Sequence, residues 1–516
     1  MNSFRYMPYA PPTFHGKEGV YGMYRTSTPP VAHVRAAVYW PRLTATDGSK
    51  QRRYTLSRSF VSLVAALLLS LSLAACGGDG EESAPGAETP GASPAGGTVT
   101  IDFWHSEPAA VQDTLDRLIS RFNSSQSEVR VRLSYQGTLD EQVAKLLASL
   151  GSGQVPAIAF LAEVDTQKMI DSGAVVPMQD FIDREGYDLS DLDETSIQMY
   201  TLQGELQAMP VGAGFPLLYY NKVTFREVGL DPERPPQDLE ELRQYSEKIL
   251  KQDAAGNVVR SGIAIDIKEW IEHMLAEHDE FFVDNSNGYD GRATKVLFNN
   301  DTGQWYFQWW HDMVDEGLAF NVGRNPSWAD GLMAIASGRA AMTFSYVSVL
   351  SSVMDVIEAG VEGVEIGVAA LPGVPGSTGA SLLGQRVIWI YNQRPEEEQE
   401  AAWKLIKWLM EPEQQAEWFA GTGYLPVNLS AIDQPAAKNV VAKYPAYQVA
   451  LDLYRNSPMT PATLFPVLGP YWQVREAIYQ GVERMLSGAQ EPDQALEDAE
   501  AEANQIIEEY NEKVKD

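Results

Sequence analysis

A single cysteine in 516 residues, Cys76, rules out an intramolecular disulfide, so the folded part of the chain is held by its own core. Long apolar runs are scarce as well. The longest, Phe60 to Leu73, has about fourteen mostly apolar residues, too few to cross a ~30 Å hydrocarbon core comfortably. No Gly-x-x-x-x-Gly-Lys-Ser/Thr and no strand-linked Gly-x-Gly-x-x-Gly occurs, which leaves a nucleotide cradle without support, and the missing Gly-x-Ser-x-Gly weakens a hydrolase of that type. Basic charge is in short supply: 39 Lys and Arg face 70 Asp and Glu, for a net charge of −31. Residues 1–75 hold nine of the basic side chains and only two acids, so the rest of the chain carries about −38. Nucleic acid is not an expected partner of such a surface.

Metal ligation is poorly supplied too. His273 and His278 are five apart, off the His-Glu-x-x-His spacing, and no cysteine remains to complete a zinc site, so they read as two exposed helix histidines. Asp284-Asn285-Ser286-Asn287-Gly288 begins like a calcium loop, but Lys295 stands where the bidentate Glu is needed, and an ordinary loop is expected. No cofactor is expected.

What the chain does have is an export signature. Arg52, Arg53 and Arg58 precede the apolar run, and Leu73-Ala74-Ala75-Cys76 closes it, which is the pattern of a lipoprotein signal with Cys76 as the lipidated residue. A lipid-modified terminus anchors without spanning, since each buried methylene contributes about 0.8 kcal/mol. Met1 to Lys50, rich in Pro, Tyr and Arg, shows no periodic pattern, and a signal so far into the frame suggests a start downstream of Met1. Residues 1–75 are therefore set aside as extension and signal peptide, and 76–97, dominated by Gly, Pro, Ser and Glu after Cys76, as a flexible tether. The remaining ~420 residues suit two lobes.

From Thr98 the period alternates. Val99, Ile101 and Phe103 share a strand face; Val111, Leu115, Leu118, Ile119 and Phe122 recur at helical spacing; Val129, Val131 and Leu133 return to period two. A helix (Val143, Leu146, Leu147, Leu150) then leads to the apolar Ala157–Leu161, so the chain opens on strand, helix, strand, helix, strand and predicts a largely parallel sheet. Further apolar strands are expected near Leu217–Tyr220, Gly262–Ile265, Ala341–Phe344, Ile366–Ala370 and Val387–Tyr391. Helices are expected from Pro395, over 470–486 and over 493–512.

Aromatic and polar residues gather at strand ends and loops: Trp104-His105-Ser106, Glu163, Trp270, Tyr346, Gln385-Arg386, Gly423-Tyr424, and Trp472 with Arg475. Aromatic faces that cover C–H surface, with a few fixed donors and acceptors, suit a small polyol or sugar. Glycoside hydrolysis needs only two carboxylates, so a secreted glycosidase stays as an alternative from another class.

Phe103-Trp104-His105-Ser106, Arg121-Phe122-Asn123, Tyr135-Gln136-Gly137, Ala162-Glu163-Val164, Leu218–Lys222, Gly229–Glu233, Gly288–Gly291, Ala341-Met342-Thr343 and Thr422–Pro426 follow one another over nearly all of 98–516. In these stretches the chain resembles the lipid-anchored extracellular solute-binding proteins of ABC importers, in their carbohydrate-binding branch and nearest the sn-glycerol-3-phosphate-binding proteins. The resemblance implies an α/β, two-lobed periplasmic-binding-protein-like fold, with a ligand cleft between lobes joined by hinge crossings near Val211–Gly214, Gly384–Arg386 and Tyr424–Val427. It implies an N-lobe of 98–211 plus 385–425 and a C-lobe of 212–384 plus 426–516. It also implies a non-enzymatic monomer that delivers a small polar solute to the permease membrane subunits.

Carried over residue by residue, the resemblance makes Glu163 an acceptor for ligand hydroxyls, Trp270 a stacking wall, Tyr424 a hinge hydroxyl donor, Arg475 the partner of an anionic group and Gly384 a point of close backbone approach. Trp104, Asp140, Tyr346, Arg386 and Trp472 complete the expected ligand-binding set. The chain departs from the family where a tyrosine position falls on Leu139 or Asp140, where Gly212-Ala213-Gly214-Phe215 replaces a serine-rich stretch, and at Ser345–Ser348; Arg386 is an addition. The expected ligand is of glycerol-3-phosphate or glycerophosphodiester type, with a neutral di- or oligosaccharide as the alternative, which Tyr346 and Trp472 favour.

Overall fold

A computed structural model describes residues 97–514 apart from 269, 325–328 and 359–360. Cys76, the signal segment and residues 77–96 of the tether lie outside the described residues. Strands β1 (Val99–His105), β2 (Val129–Tyr135), β3 (Ile158–Ala162) and β4 (Val175–Val176) come first, followed by the hairpin of β5 (Thr201–Leu202) and β6 (Glu205–Leu206) and by β7 (Met209–Gly214). Next are β8 (Pro216–Asn221), β9 (Lys251–Gln252), β10 (Val258–Asp266), β11 (Ala319–Gly323), β12 (Ala340–Tyr346), β13 (Ile366–Ala370) and β14 (Gly384–Tyr391).

Two six-stranded sheets result. The first runs β2-β1-β3-β14-β4 with β7 also on β14, and the second runs β11-β10-β12-β8-β13 with β9 on β10. The α/β, two-lobed periplasmic-binding-protein-like architecture expected from the sequence is what these sheets and their flanking helices form. The parallel expectation holds for β1 with β2 and β3, but β14 runs antiparallel to β3, β4 and β7, so the first sheet is mixed. The reason lies in connectivity: β14 enters this sheet after a long excursion through the second, which periodicity along the chain does not reveal.

Local sequence explains the elements. On β1, Ile101, Phe103 and His105 are buried while Trp104 lies half-buried between them; β3, with neighbours on both sides, is buried throughout. Helix Leu139–Leu150 starts on a reciprocal capping box between Thr138 and Glu141. The C-terminal pair, Tyr471–Leu486 and Pro492–Lys513, packs Ala495, Leu496, Ala499, Ala503 and Ile507 inward.

The chain leaves the first sheet at Gly214 and enters the second at Pro216, and it returns between Ala370 and Gly384. Gly214 pairs with Gly384, and Ala213 exchanges backbone hydrogen bonds with Leu425 at 2.9 and 2.7 Å. The three segments expected as crossings thus lie side by side. A Cβ on Gly212 would stand 2.6 Å from Trp418 Nε1 and 2.9 Å from Tyr424 Cβ, so the absent side chain lets β7 pass the aromatic pair. Among the described residues no helix is long and apolar enough to cross a membrane.

Candidate functional site

Strand direction gathers the site. β1 and β3 end at His105 and Ala162, and the antiparallel β14 begins at the same edge, where Arg386 pairs with Ala162. In the second sheet β10 and β12 end at Asp266 and Tyr346, and Tyr346 pairs with Pro216 at the start of β8. The residues just past these ends line a cleft of about 480 Å³, within the ~300–1,000 Å³ typical of small-molecule sites. Open α/β sheets bind ligands outside the carboxyl ends of their strands for this reason.

One wall and floor come from the first sheet. Glu163 opens the short 3-10 turn after β3, and its Oε2 accepts the Gln385 N–H at 3.0 Å. Burial pushes its pKa up, against its own backbone hydrogen bond and the charge of Arg386. Arg386 Nε stands 3.0 Å from Glu107 Oε1, and its guanidinium lies over the Tyr424 ring at 5.7 Å. Burial would lower the Arg386 pKa, but Glu107, Tyr424 and Glu163 outweigh it and raise it. Among the described residues Glu107, 1% exposed, has no hydrogen-bond partner for Oε2, and neither has Gln385 for Oε1 on a side chain equally buried. Gln385 uses its amide Nε2 to donate to Ser196 Oγ at 2.5 Å.

The opposite wall is aromatic. Tyr346 faces the cleft, with Trp270 stacked behind it at 5.9 Å and 18°, and its hydroxyl lies 3.3 Å from His273 Nε2. Trp472 lines one side and donates Nε1–H to Asp165 Oδ1 at 3.3 Å. Burial raises the Asp165 pKa to about 6, although Lys168 at 3.5 Å pulls it down. Lys268 also reaches the cleft, bridged to Asp266 at 2.8 Å.

Of the ten expected ligand-binding residues, Glu163, Tyr346, Gly384, Arg386, Tyr424 and Trp472 line this one cleft. Trp270, expected as a stacking wall, is fully buried; its Nε1–H is taken by Asp266 and its ring supports Tyr346 from behind. Arg475, expected to meet an anion, is buried beneath the rim, donating to Tyr471 Oη at 2.8 Å with its guanidinium over Trp472 at 5.4 Å. Trp104 lies on β1 outside the lining, and Asp140 is exposed in the first turn of its helix. His273, expected to be exposed, is 3% exposed and lines the cleft, because the helix Trp270–Glu277 is buried all round.

Sequence reasoning missed Glu107, Lys268 and His273 as cleft residues, while Gln385 was marked only through its place beside Arg386. A signal for Glu107 was present: an acid in the turn between a strand end and the Pro108 helix start is where a cleft residue falls. Among the described residues no cluster of three or more His, Cys, Asp or Glu is placed to hold a metal ion.

Two α/β lobes around a polar and aromatic cleft define a two-lobed binding receptor. The chain belongs to the bacterial extracellular solute-binding protein family, whose model matches residues 117–449. It is accordingly a solute-binding protein of an ABC importer and not an enzyme. It is 28% identical over 425 residues to the sn-glycerol-3-phosphate-binding periplasmic protein UgpB of Shigella flexneri, covering 81% of this chain and 94% of that one. Its fold matches UgpB from Mycobacterium tuberculosis in complex with glycerophosphocholine, with TM-score 0.66, 22% identity and coverage of 80% and 100%. It also matches the cyclic α-maltosyl-1,6-maltose binding protein of Arthrobacter globiformis, with TM-score 0.64, 24% identity and coverage of 80% and 99%.

Proposed function

We propose that the solute captured in this cleft is a neutral, hydroxyl-rich sugar of di- or oligosaccharide size. The observation that carries the reading is the acceptor character of the floor: Glu107 Oε2 and Gln385 Oε1, on side chains that line the cleft, are buried acceptors that meet no donor among the described residues. Sugar hydroxyls supply donors to such atoms. A phosphate oxygen supplies only more lone pairs and charge, and a buried acceptor left unmet costs about 1 to 3 kcal/mol.

The cations point the same way. Arg386 is held by Glu107, Lys268 by Asp266 and Lys168 by Asp165, so positive charge at the cleft is matched by carboxylates. Tyr346 and Trp472 offer ring faces for the C–H surface of a pyranose. Glu163 beside Arg386 gives an acceptor and a donor for adjacent hydroxyls.

A second reading is the glycerol-phosphate or glycerophosphodiester ligand. It is favoured by the 28% identity to UgpB and by Arg475, which lies behind Trp472 and whose charge pulls weakly against the burial that raises the Glu163 pKa. A thermal-shift panel with maltose, trehalose, longer glucosides, sn-glycerol-3-phosphate and glycerophosphocholine separates the two. A ligand at a thousand times its dissociation constant adds about 4 kcal/mol to the native state. A shift with sugars alone supports the first reading, and a shift with phosphates alone supports the second.

The receptor is further proposed to work as a monomer outside the cytoplasmic membrane, tethered through a lipid on Cys76 and delivering its solute to the permease subunits. Cys76→Ser then releases the protein from the membrane fraction; retention there would place the anchor elsewhere.

A further inference from the structure

We infer that Asp171 is a positioning residue for solute capture, setting affinity from outside the cleft by joining the two lobes at its rim. Helix Thr166–Asp171 belongs to the first sheet: Tyr391 Oη donates to Met169 Sδ at 3.4 Å, and Asn392 Nδ2 donates to Gly173 O at 2.9 Å. The groups that grip Asp171 come from the other lobe. Arg292 donates Nη1–H to Oδ2 at 2.8 Å and Nη2–H to Oδ1 at 2.6 Å, and Tyr510 Oη donates to Oδ2 at 2.8 Å. Both donors sit on one packed unit, since Asn511 Nδ2 reaches Ala293 O at 2.9 Å and Asn504 Oδ1 accepts Val296 N–H at 2.8 Å.

The carboxylate side chain is only 6% exposed, and a planar fork on a shielded carboxylate is the strong form of this contact. Burial alone would raise the Asp171 pKa, but the hydrogen bonds from Arg292, Tyr510 and Gln167 carry it below the usual range. The Trp472–Asp165 hydrogen bond joins the same two lobes a short way along the chain from Asp171.

Arg292 is held out by a strained turn. Asn285, Ser286 and Asn287 have φ of 53°, 54° and 56°, three successive left-handed residues without a glycine among them. The turn is held by Asn287, whose Oδ1 accepts Phe282 N–H at 2.8 Å and whose Nδ2 donates to Leu464 O at 3.2 Å, and by Asn285 Nδ2, which donates to Arg292 O at 2.7 Å. Asp284 accepts Thr294 N–H at 2.7 Å, so the calcium-like acid is committed within the protein. Conformations this unfavourable persist where the surroundings over-determine them, and here they aim a guanidinium at the opposite lobe.

A contact made only when the lobes are together raises the closed fraction, and apparent affinity for any solute scales with that fraction. The inference rests on the receptor class and not on which solute is bound, so its test is made without ligand. In the full chain carrying Cys76→Ser, spin labels on cysteines introduced at the exposed Asp113 and Val356 report the separation of the lobes. Asp171→Asn should raise the open-to-closed ratio by about fivefold or more, and Tyr510→Phe should move it in the same direction by less. Asp171→Arg combined with Arg292→Asp should restore part of the closed population. Unchanged distances in both Asp171→Asn and Tyr510→Phe, or shorter ones, would overturn the inference; a purely local structural role would lower the melting temperature without moving them.

Discussion

Glu107 and Arg386 meet at 3.0 Å on the floor of the cleft, where one carboxylate oxygen holds the guanidinium and the other meets no donor among the described residues. The ion pair offsets the charge of Arg386, the one arginine lining the cleft among the described residues, and the spare oxygen is an acceptor for a hydroxyl. Glu107→Gln keeps the shape and removes the charge. It should weaken a sugar by about 1 to 2 kcal/mol and narrow the gap to a phosphate ligand, as read by calorimetric titration of both. Equal loss for both ligands would detach Glu107 from discrimination.

Tyr346 and Trp270 divide the work of one aromatic wall. Tyr346→Ala should cost about 0.5 to 1.5 kcal/mol of binding by removing the stacked face. Trp270→Ala, deep in the core, should instead lower folding stability by about 3 to 5 kcal/mol, measured by denaturant unfolding.

Asp165 gives stability a pH dependence. Its pKa rises from 3.8 to about 6 on folding, so the native state binds the proton more tightly than the unfolded chain. That stability is present below about pH 4 and is lost as pH climbs toward 6, with a span of up to about 3 kcal/mol. Asp165→Asn should flatten this component of the unfolding free energy between pH 4 and 6. A profile unchanged by the substitution would assign the titration to another group.

Gly212 lies on β7, paired with Arg386 two residues before the chain leaves the first sheet. Gly212→Ala forces its Cβ against Trp418 and Tyr424 and should cost about 1 to 3 kcal/mol in thermal unfolding. A neutral result would mean that the aromatic pair gives way freely.

The strands were legible because their patterns are local: Ile366–Ala370 was read with the bounds it has, and the final helices within a few residues. The direction of β14 was not, since it depends on a partner more than two hundred residues away. At the site, Glu163, Arg386 and Tyr424 could be named from strand ends and resemblance. Trp270 was placed on the wrong side of Tyr346, because a tryptophan near a strand end looks alike whether it faces ligand or core. His273 was misread for a related reason: the helix that carries it is buried all round, so periodicity marks no exposed face.

The most direct measurement is an equilibrium titration of the protein with a set of disaccharides and with glycerophosphocholine under the same conditions. An acceptor-lined, charge-matched floor predicts saturable binding of at least one disaccharide, with glycerophosphocholine about tenfold weaker or more, a gap of about 1.4 kcal/mol. Saturable binding of glycerophosphocholine with none of the disaccharides bound would contradict the account.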